Sequence, residues 1–405
     1  MRTQLIGFIA ALVMAGCAVQ HDASDDRFVH EPVNVYPIFS AAKALEDLAA
    51  TSANASVGDL NGDGNLDVLL VKGRHWPLED RVLIGDGTGA FAAAVNLSGI
   101  SDRSYSGLLA DLDLDGDLDV VVSNDRPDPS LVYLNDGNGV FAVASTVGRA
   151  EWPTRNAGVA DMNGDGLLDV IVANRFGGDS DGNYICINQG NGQFGDECVR
   201  FSTEASTTIT PADLDGDGLM DLVVPHRNGG QSFVYLQTTA AGMDFRRVPF
   251  GPSDAVIRAT EAGDFDGDGL LDIVAINAGR SEGDDGEAQD RYQLPSVSVF
   301  LGQINGSFSA PKQIGDSKSA PYSLTYSDLN SDGALDIIVG FVEAPSVVFY
   351  NNGSNFGFTP IQFGDGKGTV YGFAIGDLNK DGQPDIVAAR SGAVNVVYFG
   401  RTGNP

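Results

Sequence analysis

The chain has 405 residues, with 24 Lys and Arg against 55 Asp and Glu, a formal net charge of −31, and 42% hydrophobic residues. That apolar fraction excludes a disordered polyanion. A chain so acidic, with no basic stripe, is excluded as a binder of nucleic-acid phosphate.

At the start, Met1 and Arg2 precede an apolar stretch, Leu5 to Val13, that ends in Met14-Ala15-Gly16-Cys17. This predicts a secretory signal over 1–17, too short to span a bilayer as a helix. A cysteine directly after Ala-Gly resembles the lipobox of bacterial lipoproteins, with Met14 where Leu is commoner. The resemblance implies a lipidated Cys17 and an anchor in the cell envelope, at the outer membrane or cell surface. A plain signal peptide cut near Ala18, giving a periplasmic or secreted protein, stays open. Residues 18–38 read as a solvated tether, and no later segment is apolar enough to cross a membrane.

From residue 39 a nine-residue pattern recurs seven times, first as Asp59-Leu-Asn61-Gly-Asp63-Gly-Asn65-Leu-Asp67. The second copy carries Asp111, Asp113, Asp115, Asp117 and Asp119; the third, Asp161, Asn163, Asp165 and Asp169; the fourth, Asp213, Asp215, Asp217 and Asp221. The fifth has Asp264, Asp266, Asp268 and Asp272; the sixth, Asp328, Asn330, Asp332 and Asp336; the seventh, Asp377, Asn379, Asp381 and Asp385. The copies start 52, 50, 52, 51, 64 and 49 residues apart. Each is preceded by a segment with small residues and followed by a β-rich run such as Val68-Leu-Leu-Val71. A further strand-like stretch, a Gly/Asn/Asp turn, and a Phe with a fourth segment complete it. Four short strands per repeat describe a β-propeller blade. The seventh repeat stops after its third strand, while Phe39-Ser-Ala-Ala-Lys43 resembles Phe308-Ser-Ala-Pro-Lys312, both Phe standing 20 residues before a motif. The fold expected over 39–405 is therefore an all-β, seven-bladed propeller whose last blade is closed by the N-terminal strand, likewise expected to be a monomer. Cys186 and Cys198 flank the turn signal Gln189-Gly-Asn-Gly192, predicting a disulfide across a hairpin, with two reduced thiols as the alternative.

In the nonapeptide, positions 1, 3, 5 and 9 carry oxygen donors, position 7 offers a carbonyl, and Gly stands at position 6 of every copy. Oxygen donors without His or Cys select Ca²⁺ over transition metals. The EF-hand is excluded because position 12 is apolar (Leu70, Val122, Val172). Seven structural Ca²⁺ would take the net charge from −31 to −17. Copies two, four and five, with Asp at position 3, are expected to bind more tightly than the four with Asn; copy seven, with Lys380 and Pro384, is expected to be the weakest. At these residues the chain resembles the FG-GAP/VCBS repeat family, which includes the propeller of integrin α subunits. The resemblance implies Ca²⁺ in the same hairpin and leaves function open among adhesion, lectin-like and polysaccharide-cleaving members.

The metal loops occupy one face of such a ring; the B–C and D–A connections occupy the other. To the B–C loops the sequence assigns Arg74, His75, Trp76, Arg126, Arg175, His226, Arg227, Arg280 and Arg390; to the D–A loops, Arg103, Tyr105, Trp152, Arg155, Arg258, Tyr322 and Tyr371. Arg grips carboxylate, sulfate or phosphate, and Trp and Tyr stack on sugars. The alternative is that these Arg bridge acidic neighbours between blades. A longer fifth repeat adds an acidic segment, Gly279 to Pro295, over the same mouth. Two functions follow: a binding module for a glycan or protein ligand, or a polysaccharide lyase or dehydratase using His226 or His75 with a mouth tyrosine as base.

Overall fold

The computed structural model describes residues 36–92, 94–178, 181–279, 295–353 and 356–401, apart from the side chains of 196 and 197. The expected signal peptide, Cys17, most of the tether, Arg280 and nearly all of the acidic insertion lie outside these residues.

Each repeat folds into one antiparallel sheet whose strands run A, B, C, D from the channel outwards. In blade one these are Ser52–Gly58, Asp67–Lys72, Leu78–Leu83 and Val95–Asp102. The other A strands are Ser104–Ala110, Thr154–Ala160, Thr210–Ala212, Ile257–Gly263, Pro321–Ser327 and Thr369–Gly376. Each A strand touches the next, and that of blade seven touches that of blade one, so seven blades close a ring. The protein is an all-β, seven-bladed propeller, and the described residues contain no helix.

The B strands explain why the post-motif runs are continuously apolar rather than alternating. They are covered on both faces, and Val68 to Val71 are wholly inaccessible. The core lies between blades: Leu69 and Val71 of blade one pack against Val120 and Val122 of blade two. Each such side chain contributes about 1.5–3 kcal/mol on burial. The A strands carry small residues because they converge on the axis. A Cβ added to Gly107 would lie 2.5 Å from Val71 Cγ2.

Closure follows the expected scheme. Lys43–Ala44 pairs with Val396 and Val397, and Phe39 sits opposite Gly400, as Phe91 does opposite Gly85 and Phe308 opposite Gly302. The ring begins earlier than residue 39, however. Tyr36 rests 4.7 Å from the Tyr350 ring and donates its hydroxyl hydrogen to Asn352 Oδ1 at 3.0 Å. Ile38 pairs with Arg401. Residues 36–38 thus belong to the propeller rather than to the tether. Cys186 and Cys198 face each other on strands C and D of blade three and form the expected disulfide.

Candidate metal loops and ligand site

The seven nonapeptides form the A–B turns, and their ninth residue is a structural hub. Asp67, Asp119, Asp169, Asp221, Asp272, Asp336 and Asp385 are inaccessible to solvent. In each, Oδ2 accepts the N–H of motif position 2 at 2.8–3.0 Å, as from Leu60, Leu112 and Leu214. Oδ1 accepts an N–H at the end of strand C at 2.7–2.9 Å, from Gly85, Asn135, Asn188, Gln237, Gly302, Asn351 and Gly400. One carboxylate thereby ties the loop to its own blade. Burial pushes these carboxyls up, to about 7 at Asp336 and about 6 at Asp221, although the backbone donors pull the other way.

The donor set suits a divalent cation. In copy two, carboxylate oxygens of Asp111, Asp113 and Asp115 all come within 4.8 Å of one another; copies four and five bring together Asp213, Asp215 and Asp221, and Asp264, Asp266 and Asp272. Crowding of this kind favours an ion carrying two positive charges. The four copies with Asn at position 3 relieve it differently. Asn61, Asn163, Asn330 and Asn379 each donate an amide hydrogen to the position-5 carboxylate at 2.8–3.2 Å. The position-7 side chains of Asn65 and Asp117 lie against Gly87 and Gly137 of the C–D turns.

On the opposite face the channel opens into a cavity of about 450 Å³ rimmed by Arg74, His75, Tyr105, Arg155, Arg175, Arg227, Arg258, Tyr322 and Tyr371. A shared backbone device builds much of this rim. In six blades the A–B pairing skips one residue of strand A: Ala53, Tyr105, Arg155, Arg258, Tyr322 and Tyr371. A β-bulge re-aims the extra side chain. Five of the six are large rim residues, so the residues assigned to D–A loops from sequence stand instead on the inner strands.

The rim is a chain of cation–ring contacts. Arg155 lies 4.0 Å from the Tyr105 centroid, Arg74 lies 3.7 Å from that of Tyr371, and Arg258 lies 4.6 Å from that of Tyr322. Arg155 is neutralised by Asp125 at 2.9 Å. Arg74, Arg175, Arg227 and Arg258 have no carboxylate partner among the described residues. Eight buried side-chain polar atoms there lack a hydrogen-bond partner, and five line this cavity: Nε of Arg74, Arg227 and Arg258, Thr207 Oγ1 and Ser323 Oγ. Burial pushes the Arg227 guanidinium down to about 10, and nearby Arg258 and Arg175 add to the effect. Burial raises the Tyr322 hydroxyl, but Arg258, Arg74, the Tyr371 hydrogen bond and Arg227 outweigh it and bring it below the ordinary phenol value.

The FG-GAP-like repeat model matches residues 59–122, 111–172, 161–224, 264–339 and 328–388. The chain belongs to the FG-GAP-like repeat family. No curated protein matches it in sequence. Among solved structures it is similar to a chain in the crystal structure of BBS1N in complex with ARL6DN soaked with lead, with TM-score 0.60 and 11% identity over 92% of this chain and 99% of that one. The mercury-soaked counterpart gives TM-score 0.59 and 11% identity over 91% and 98%. The V. cholerae biofilm matrix protein Bap1 gives TM-score 0.46 and 13% identity over 92% of each chain. At these identities the likeness concerns the fold.

The other expected ligand residues of this FG-GAP-like protein sit elsewhere. Arg390 belongs to a B strand, is almost wholly buried, and pairs with Asp365 at 2.6 Å. Arg103 pairs with Asp128 at 2.8 Å. For these two, as for Arg155, the bridging alternative is what the structure shows. Trp152 is a core residue stacked on Tyr184 at 4.1 Å. Arg126 lies over Phe176, and Trp76 is exposed outside the cavity. His226 is also outside it, its ring packed against Gly230. Only His75 joins a mouth tyrosine, the Tyr105 hydroxyl lying 3.2 Å from its ring nitrogens. Burial lowers the His75 imidazole, with Arg74 and Arg155 adding to this, which favours its neutral form. Sequence reasoning missed Glu261 and Thr207 of the cavity lining. A carboxylate inside an inner strand whose neighbours are Ala and Thr was the available signal for Glu261.

Proposed function

We propose that the chain is an extracytoplasmic, Ca²⁺-stabilised binding module whose arginine-rimmed channel mouth takes an anionic group of a glycan or protein ligand. The observation that carries this is the convergence of four arginines that have no carboxylate partner among the described residues, in a protein of net charge −31. An acidic chain has acidic side chains to spare, yet these arginines line a cavity and three of them, Arg74, Arg227 and Arg258, keep an Nε without an acceptor among the described residues. Arg forks suit carboxylate, sulfate and phosphate, and the interleaved tyrosines offer ring faces to sugars. The cavity volume falls within the ~300–1,000 Å³ typical of small-ligand sites.

The disulfide supports an oxidising compartment. The apolar Leu5–Val13 run and Cys17 support export with a lipid anchor. Incorporation of labelled palmitate, lost in Cys17→Ser, tests the anchor.

An array of neutral, carboxylated and sulfated glycans, probed with and without Ca²⁺, tests the binding reading. Binding confined to anionic glycans, weakened by salt and lost in Arg227→Gln/Arg258→Gln, is the expected result. Equal binding by the double variant would defeat the proposal. A second reading, β-elimination on uronate polymers, is favoured by the His75–Tyr105 contact: arginine would neutralise the carboxylate, His75 would take the α-proton, and the Tyr105 hydroxyl would give a proton to the glycosidic oxygen as its bond to the β-carbon breaks and the C=C bond forms. Appearance of unsaturated uronate absorbance that His75→Ala abolishes would establish it.

A further inference from the structure

Below the arginines the channel carries a carboxyl without a hydrogen-bond partner among the described residues. Glu261 stands on strand A of blade five, three residues beyond Arg258, hence about 10 Å further along at ~3.3 Å per residue. It lines the same cavity, as do Thr208, Thr260 and Thr325. No described residue donates a hydrogen bond to it and no basic group balances it. Desolvation pushes its carboxyl up to about 8, and its charge adds to the burial that raises the Tyr326 hydroxyl on the neighbouring A strand. Glu261 is only partly exposed to the channel, and an acid there is a costly choice unless something binds it, since the matching positions of the two neighbouring A strands hold Thr210 and Thr325.

We infer that Glu261 is the inner recognition group of this channel and that the ligand is a sugar acid, its carboxylate among the arginines and a hydroxyl on Glu261. The inference rests on the anion-site reading above and narrows it to one chemical class. An ammonium group would answer a lone carboxyl equally well, but it would have to pass four arginines that no described carboxylate neutralises. A neutral carboxyl both donates to and accepts from hydroxyls. The separation of the two poles suits a short oligosaccharide rather than an inorganic anion, and the tyrosines between Arg74 and Arg258 flank its path.

The test measures, by calorimetry on the Ca²⁺-loaded full chain, the affinity for an oligoglucuronate and for inorganic sulfate. Losing one buried hydrogen bond to the ligand is worth about tenfold or more. Glu261→Leu and Glu261→Ala are therefore expected to weaken oligoglucuronate at least about tenfold while leaving sulfate within about twofold; Glu261→Gln, which retains a donor and an acceptor, should stay within about threefold. Arg227→Gln should weaken both ligands. Unchanged oligoglucuronate affinity in folded Glu261→Ala overturns the inference and spares the anion site, as does sulfate binding without oligoglucuronate binding in the parent. Sulfate affinity unchanged by Arg227→Gln sinks the anion site itself.

Discussion

Arg258 crosses a blade boundary to donate its Nη1 hydrogen to the Tyr322 hydroxyl at 3.2 Å, while its Nε remains without an acceptor. The guanidinium is thus positioned by the phenol and holds part of its donor fork for something else. Replacing it by Gln should cost anion affinity about tenfold or more, the worth of a charge-assisted hydrogen bond. Arg258→Lys, with the charge but no fork, should fall between. The same Gln variant removes a cation that favours the phenolate, so the Tyr322 hydroxyl should titrate at higher pH than in the parent. Ultraviolet titration against a Tyr322→Phe control reads this directly. An unmoved tyrosine together with undiminished binding would detach Arg258 from the site.

Motif positions 5 and 9 should separate cleanly. Asp221→Ala strands the amides of Leu214 and Gln237 in the interior, each costing about 1–3 kcal/mol, so it should destabilise with or without Ca²⁺. Asp217 accepts only from the exposed Leu219 N–H. Its replacement by Ala should lower the melting temperature mainly when Ca²⁺ is present, as should Asp268→Ala. Melting curves with Ca²⁺ and with chelator decide the matter. A parent protein whose curve ignores the chelator would refute structural Ca²⁺.

Lys380 of blade seven should weaken the metal loop of its neighbour. Its side chain reaches the Gly87 turn of blade one, and its charge, after hydrogen bonds from the Asn65 amide and from Asn61, helps hold the Asp63 carboxyl below its ordinary value. A cation there would compete with Ca²⁺ for the proposed site of blade one as well as crowding its own loop. Lys380→Ala is expected to raise the number of Ca²⁺ bound at low free Ca²⁺, counted by equilibrium dialysis. An unchanged binding curve would show that Lys380 is indifferent to both loops.

The ring was legible because every blade repeats one local sentence: small inner strand, Asp-rich turn, doubly covered B strand, Phe opposite a glycine or amide. Phe39 opposite Gly400 obeys it even though the two stand at opposite ends of the chain. The structural role of the ninth aspartate was hidden, because a carboxylate that bonds two amides looks in sequence like one that holds a metal. The mouth was half legible. Loop assignment brought Arg74, His75, Arg175 and Arg227 to it, and Tyr105, Arg155, Arg258, Tyr322 and Tyr371 as well, but these last five stand on the inner strands and reach it through a bulge that leaves no mark in composition. Arg390 and Arg258 are the same residue type, and only the presence of Asp365 distinguishes a strut from a free donor.

Glu261 should also leave a pH signature on stability. Its carboxyl lies at about 8 in the folded chain against an ordinary 4.5, so the folded state keeps a proton that the unfolded state gives up. Stability contributed by this group is therefore complete below about pH 4.5, declines as pH rises through the interval, and is gone above about pH 8. Gln cannot ionise and carries no such slope. In saturating Ca²⁺, which holds the loop carboxylates ionised throughout, the melting temperature of Glu261→Gln minus that of the parent should grow between about pH 5 and pH 8 and then level off. A difference that stays constant across that range would mean that the Glu261 carboxyl is hydrated like any surface acid, and the channel would lose its inner pole.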